Sequence, residues 1–581
     1  MQQWTDHPCI NGSGFVTAPS MTLLGKGSEP LREIASSFVA AQFIAHAWPI
    51  IWPERCHETG AINCVATKDG GAFNEVPLSR WLLAFPNRVI NGTITKGLPS
   101  IEVGQNSRKD MKMASQSPGK IRGYRWKELG LLIIPFLILL LAMTQLLLAN
   151  ADPRSSLNAR NLPTVQGLIP ALGLICALVG MNVLFSIFFR KADQILLPLV
   201  GLLSGIGVLM ATRLGPNLAP FPDPALGSRQ LIWVLLGLII CIGTIFLLRN
   251  LNWLLRFKYT AALFGILMFG LTLVNTLRNL SNLDSPTHDQ LNIGPFNFQP
   301  SELLKICIVI FFAAYLSENR DILAGGSLRL GPLRLPPLRQ LGPIALMLGL
   351  SLLLFLFVRE LGLALLMYGI FLSMIYLGTG KISYVVSSLA IFVVLGFIGY
   401  TLFSYVRARF AVVTFDVVNW QNWSSADQFF ATNSGLQVVQ GIIALSSGGI
   451  IGAGLGLGHP AGLGFVPVVQ SDMVFTALGE ELGLAGLFAI IGIYLLITYR
   501  GFRIAIEATT TFNQLLAAGL TSIFAIQTLI IAAGNMKFLP LTGIPLPFLS
   551  YGGSSIFANY IIVGILLRIS YTTALEREGL T

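Results

Sequence analysis

The chain has 581 residues, 54% of them hydrophobic and only 11% charged, with 59 Gly and 30 Pro. A soluble domain carries about 25% charged residues, so this composition excludes a soluble globule, a disordered chain and a collagen-like fibre. Basic residues outnumber acidic ones 38 to 27, a net charge of +11, yet they cluster in short loops between apolar runs. That pattern marks membrane topology rather than a nucleic-acid partner.

Residues 1–125 mix polar and apolar positions with no sustained period. The run Phe38–Trp52 is too short to span a bilayer and is interrupted by His46 and Pro49. It also lacks the order of a signal peptide. The segment is expected to be a poorly ordered cytoplasmic extension, or the product of an over-long start with Met111 or Met113 as the true beginning. Cys9, Cys56 and Cys64 lie in it, and Cys176, Cys241 and Cys307 lie in apolar runs; neither a disulfide framework nor a zinc spacing is evident.

From Leu129 onward, apolar stretches of about 20 residues recur, which predicts an all-α polytopic membrane protein with about twelve spans. They fall near 129–149, 166–189, 194–212, 230–248, 258–277, 302–317, 340–358, 361–378, 383–405, 473–498, 512–533 and 556–570. Arg190, Lys191, Arg249, Arg256, Lys258, Arg320, Arg500, Arg503, Arg568 and Arg577 share one side with Lys120, Arg122, Arg125 and Lys127. Both termini are therefore expected in the cytoplasm. A large outer loop, 406–472, separates the ninth and tenth spans. It holds Trp420 and Trp423, suited to an interface, and a run ending in SSGGIIGAGLGLG. That run is too glycine-rich for a span and is expected to rest on the membrane surface or dip into a cavity. No strand precedes it, so it is not a dinucleotide loop.

Asp472 stands where this loop meets a hydrophobic span, and a lone carboxylate there is costly unless hydrated, paired or used. The bland alternative is a cap or first-turn acid of the following helix, which Ser471-Asp472 would suit. Glu480 and Glu481 follow roughly 12 Å further along the helix axis. On one straight helix they cannot both line the same groove, and bonds to backbone or bases inside the bundle are the favoured reading. Glu302 and Lys305 in FQPSELLK are spaced to pair on one face, after Pro300 and with Ser301 as a cap. Arg359 and Glu360, and Arg407 and Arg409, stand on the outer side, where bases either hold a pyrophosphate or snorkel to lipid headgroups. GIPLPFLSYGGSS, with Gly543, Pro545, Pro547, Ser550, Gly552 and Gly553, reads as a rigid re-entrant turn before the last span.

Together these pieces resemble the SEDS family (shape, elongation, division and sporulation), the family of RodA, FtsW and SpoVE. The matching stretches are FNFQPSELLK, RELGLALLMY, VRARF, QVVQGIIALSSGGIIGAGLGLG, SDMVFTALGEELG and PLTGIPLPFLSYGGSS, in the family's order from about Asp193 to Ser570. The family has ten spans; the two in front, within 126–192, resemble RodA-like members more than FtsW. The resemblance makes 193–581 a polymerase core. It implies a peptidoglycan glycosyltransferase that polymerises lipid II at the outer face of the cytoplasmic membrane, during elongation or division, and releases undecaprenyl diphosphate. It also implies Asp472 as the essential acid and Glu302 and Lys305 as a charged pair. The implied partners are a class B penicillin-binding protein (a transpeptidase) and other divisome or elongasome membrane proteins. Two departures stand out: Arg359-Glu360 replaces a Pro-Asp pair, and DSPTHDQLNIGPF replaces an Arg/Trp-rich element before QPSE.

The expected chemistry is an inverting displacement. Asp472 takes the proton of the acceptor 4-hydroxyl. Lys305, Arg407 or Arg409, or a divalent cation such as Mg or Mn, neutralises the departing pyrophosphate, with Arg407 ranked before Arg409. A lipid II flippase and a non-catalytic scaffold for a transpeptidase are the alternatives.

Overall fold

The computed structural model describes residues 125–149, 165–218, 221–278, 291–293, 296–325, 328–330, 333–335, 360–459, 461 and 465–579, with isolated positions between 342 and 352. All of them fall in the compact unit Lys96–Thr581. The expected N-terminal extension, except Arg125, and the expected span 340–358, except those isolated positions, lie outside the described residues, as does Arg359.

The chain is nearly all-helical. In order, it forms α1 (Trp126–Ala149), α2 (Val165–Phe188), α3 (Leu196–Leu214), α4 (Leu226–Leu247), the short α5 (Asn252–Arg256), and α6 (Lys258–Arg278). It continues with α7 (Pro300–Glu318), the short α8 (Arg320–Gly325), α9 (Leu361–Thr379) and α10 (Ile382–Leu402). The expected outer loop contains three helices: α11 (Ser404–Thr414), α12 (Ser425–Thr432) and α13 (Leu436–Gly448). The last three helices are α14 (Val474–Glu507), α15 (Thr511–Asn535) and α16 (Gly553–Arg577). Two three-residue antiparallel hairpins interrupt the pattern: β1 (Leu291–Ile293) with β2 (Phe296–Phe298), and β3 (Leu328–Leu330) with β4 (Leu333–Leu335).

Among the described residues, ten helices are long and apolar enough to cross a bilayer, against the twelve expected. The span expected at 258–277 does form a helix, α6, of which Lys258–Thr272 is counted as a shorter apolar helix among the described residues. Helices α3, α7, α15 and α16 are buried over most of their length and form the centre, whereas α10 presents nearly all of its side chains outward. α15 packs against α7, α9 and α14; α16 packs against α4; α1 and α2 lie on α3 and α4.

One end of the bundle is held by charge. Lys191 pairs with Glu578, Lys258 with Glu318, and Arg500 with Asp193. Arg568 donates to the carbonyl of Arg249 and Arg577 to that of Glu507. These bonds gather at one end the bases that the sequence assigns to one side. There, Arg125 is fully buried. It pairs with Glu128 and donates to the carbonyls of Phe189 (2.9 Å) and Asp193 (2.7 Å), pinning the start of α1 to the turn before α3.

Candidate active site

At the other end, α14 begins at Val474 with Met473 as its N-cap and no side-chain cap. Asp472 therefore precedes the helix and does not cap it, so a helical-wheel angle between it and Glu480 has no meaning. Its placement comes from a turn. The carbonyl of Val468 accepts both Ser471 N and Asp472 N, at 3.2 Å each. Val468 has φ +53, a left-handed conformation that a β-branched residue adopts only at a cost of order 1–3 kcal/mol. The surrounding contacts over-determine it: Tyr551 N bonds Gln470 O at 2.8 Å, Ser550 Oγ donates to Ser471 O, and Asn535 Nδ2 reaches Asp472 O at 3.2 Å.

The half-buried Asp472 side chain accepts a bond from Ser471 Oγ at 2.9 Å. Its other oxygen faces Gly543, where a Cβ would lie 3.8 Å away; Gly543 has φ +66, which suits glycine alone. The segment Leu541–Gly543 is the meeting point. Arg409 Nη1 donates to Leu541 O at 2.8 Å, and the first turn of α9 abuts Thr542 at Gly362. Glu360, the N-cap of α9, is thereby brought within the field of both Arg409 and Asp472. Burial pushes the Asp472 carboxyl above its ordinary value, against the pull of the Ser471 hydroxyl and of Arg409. Burial likewise pushes Glu360 up to about 7; Arg409 opposes this shift and the negative charge of Asp472 adds to it.

Arg407 and Arg409 lie on α11, not in an irregular loop. Two residues on a helix are about 200° apart, so only one can face the acids. The structure places Arg409 there and leaves Arg407 exposed, reversing the order expected from the sequence.

Glu302 and Lys305 do pair, at 2.6 Å, but both are closed off from the surface, 0% and 1% exposed. The N-cap of α7 is Gln299; Pro300 is the first helical residue, and Ser301 sits inside the helix rather than capping it. Lys305 Nζ also reaches Gln527 Oε1 at 3.1 Å, and Gln527 Nε2 donates to Pro545 O at 2.7 Å. The pair thus supports the GIPLPFLSYGGSS segment from behind instead of lining the Asp472 face. Other buried donors finish the task. Tyr494 donates to Pro547 O, Gln230 Nε2 to Ser550 O at 3.2 Å, and Leu546 N to Ser550 Oγ at 2.8 Å. Irregular backbone inside a membrane protein needs such partners. Gly552 and Gly553 then lead into α16, with Gly553 against the Trp233 ring.

The glycine-rich run is a partner of α14. α13 starts beside Met473 and Thr476 and ends beside Gly479 and Glu480, so it runs parallel to the first turns of α14. At Gly483 (φ +68) α14 is broken, and a Cβ there would strike the backbone of Gly452. The freed peptide groups are taken up by the run: Ala453 N bonds Glu480 O, Gly454 N bonds Glu481 O, Leu484 N bonds Gly449 O, and Ala485 N bonds Ile450 O, at 2.9–3.1 Å. Both carboxylates close on the same loop. Glu480 accepts from His459 N and from Ala461 N (2.9 Å); Glu481 accepts from Gly456 N (3.1 Å) and from Arg213 Nε (3.0 Å). Adjacent residues can do this because the loop wraps across the end of the first helical segment.

Among the described residues, no group of three or more His, Cys, Asp or Glu side chains is gathered as a metal site. A divalent cation at this end would have the carboxylates of Asp472 and Glu360, both of which also feel the Arg409 charge.

A family model, FTSW_RODA_SPOVE, described as "Cell cycle protein", matches residues 193–575. The chain belongs to the FtsW/RodA/SpoVE family. The match leaves α1 and α2 in front of it and includes every residue of the candidate site. A peptidoglycan glycosyltransferase RodA of Mycobacterium leprae is 34% identical over 387 residues, covering 66% of this chain and 79% of that protein. The stage V sporulation protein E of Bacillus subtilis is 30% identical, over 59% of this chain and 86% of that protein. Among solved structures, a chain of "Structural coordination of polymerization and crosslinking by a peptidoglycan synthase complex" aligns with TM-score 0.51 at 22% identity. It covers 66% of this chain and 98% of that chain, which shows the shared fold.

In this FtsW/RodA/SpoVE chain, several supporting residues were not singled out from the sequence: Arg213, Gln230, Gln527, Asn535 and Val468. Four carry a signal that could have found them. Arg213, Gln230, Gln527 and Asn535 are polar groups inside or at the ends of apolar helices, where such residues are costly and serve a purpose. Val468 has no such signal, since its left-handed backbone follows from contacts of distant segments.

Proposed function

We propose that this chain is a peptidoglycan glycosyltransferase that polymerises lipid II, with Asp472 as general base. The observation that carries the reading is the turn at Val468–Asp472, which holds an uncapped carboxylate beside Gly543 and Arg409. The names of the relatives support the reaction class. In the proposed step, the acceptor 4-hydroxyl oxygen attacks the donor anomeric carbon, and its proton passes to Asp472. The new glycosidic bond forms as the bond from the anomeric carbon to phosphate breaks, and undecaprenyl diphosphate leaves with the electron pair. The centre inverts without a covalent enzyme intermediate. Arg409 is the base placed to stabilise the developing negative charge. Glu302 and Lys305 act at a distance in this reading, by holding the Pro545 backbone.

The reading puts the Asp472 end outside the cytoplasmic membrane and the Arg500–Arg577 end in the cytoplasm, in line with the clustering of bases. The partner it carries is a single-pass class B penicillin-binding protein. The test is purified protein with fluorescent lipid II in vesicles. Glycan polymer formed without transbilayer movement of lipid II is the expected result; movement without polymer would make the protein a flippase.

A further inference from the structure

At the end opposite Asp472, a cavity of about 600 Å3 opens where the first turn of α1 faces the ends of α14 and α16 and the turn before α3. The two ends are those of α14, which starts beside Asp472 and finishes at Glu507 in the cavity wall. Lys127, Lys191, Arg500 and Arg577 line the cavity, against three acids, Asp193, Glu507 and Glu578. The acids are shared out: Asp193 pairs with Arg500, Glu578 with Lys191, and Glu507 is divided between Arg503 and Arg577. Lys127 is exposed and has no ion pair among the described residues. A surplus of positive charge therefore faces the cavity. The rest of its wall mixes polar Gln194, Ser570 and Thr573 with apolar Leu131 of α1 and Ile504 of α14, and both helices continue inward with outward-facing apolar side chains such as Ile134 and Leu495.

A basic head zone joined to an apolar strip matches an amphiphile with an anionic head. We propose that this cavity binds the phosphodiester headgroup of an anionic phospholipid, with the acyl chains lying along α1 and α14. Basic pockets between membrane helices on the cytoplasmic side take such headgroups. The lipid would bridge α1, which precedes the family match, to the core helices α14 and α16. A free phosphate could satisfy the same bases but would gain nothing from Leu131 and Ile504.

The test is native mass spectrometry of the full chain, loaded with mixed phosphatidylglycerol and phosphatidylcholine and then challenged with inorganic phosphate. Wild-type protein retains phosphatidylglycerol over phosphatidylcholine, and phosphate does not displace it. Lys127→Ala, at an exposed position that should not disturb folding, weakens retention about fivefold, the effect of one base near an anionic headgroup. Arg256→Ala, at another exposed base, leaves it unchanged. Equal retention of the two lipids, displacement by phosphate, or equal effects of the two substitutions would each overturn the assignment. None of these outcomes bears on the polymerase reading, which concerns the opposite end of the bundle.

Discussion

Arg407 and Arg409 are two residues apart on α11, and only Arg409 is turned toward Asp472 and Glu360. Arg409→Ala should lower kcat/KM for polymerisation by about 100-fold, the scale of removing one preorganised charge partner. Arg407→Ala should stay within about threefold of wild type on the same scale. Steady-state assays of the two variants check this, and equal losses would contradict the placement. Glu360 gives a pH signature. Its carboxyl is raised from 4.5 to about 7, so the folded protein holds a proton that the unfolded chain releases earlier. Stability is therefore lost as pH climbs from about 4.5 through about 7, by at most about 3 kcal/mol. Glu360→Gln should melt higher than wild type at pH 8 and no differently below pH 4.5, as read from thermal melts in detergent. At this scale the sequence was partly legible. Asp472 was marked by being a charge at the edge of an apolar run. The difference between Arg407 and Arg409 was not, because it depends on residues 404–414 being helical.

The pairing of α14 with the glycine-rich run explains why that run is neither a span nor a loose loop. Gly483→Ala would force a left-handed backbone on alanine and drive its Cβ into Gly452. The expected cost is over 1 kcal/mol, seen as a lower melting temperature and easier proteolysis between 449 and 461. Arg213→Met would strand the buried Glu481 carboxylate and cost about 3–5 kcal/mol, whereas pairing it with Glu481→Gln should recover part of that loss. Equal melting temperatures for Arg213→Met and wild type would remove the clamp from the account. The described membrane-spanning helices were legible because long apolar runs leave few alternatives, whereas α11, α12 and α13 were not, since they fall in the stretch expected as a loop. The break at Gly483 was hidden because glycine is common in such runs, and only the backbone of a second segment shows why this one is needed.

For the molecule as a whole, the clustering of bases and the bonds joining them at one end support a common side for both termini. Cysteine placed at the exposed Phe465, near Asp472 in sequence, should react with an impermeant maleimide added outside intact cells. Cysteine placed at Glu578 should react only after permeabilisation, each compared with the labelling of the unaltered chain. The reverse pattern would place the acid in the cytosol, where lipid II polymerisation has no outlet. The general architecture was legible from apolar periodicity and charge. Of the twelve expected spans, ten are long apolar helices among the described residues, 258–277 forms the helix α6, and 340–358, apart from isolated positions, lies outside the described residues.

The most direct measurement is glycan synthesis by purified Asp472→Asn. Asparagine keeps the shape of the side chain, and burial already disfavours the charge, so the variant should insert and melt no lower than wild type. Loss of a general base predicts at least about 100-fold less polymer from fluorescent lipid II. Near-normal polymer from this well-folded variant would contradict the account.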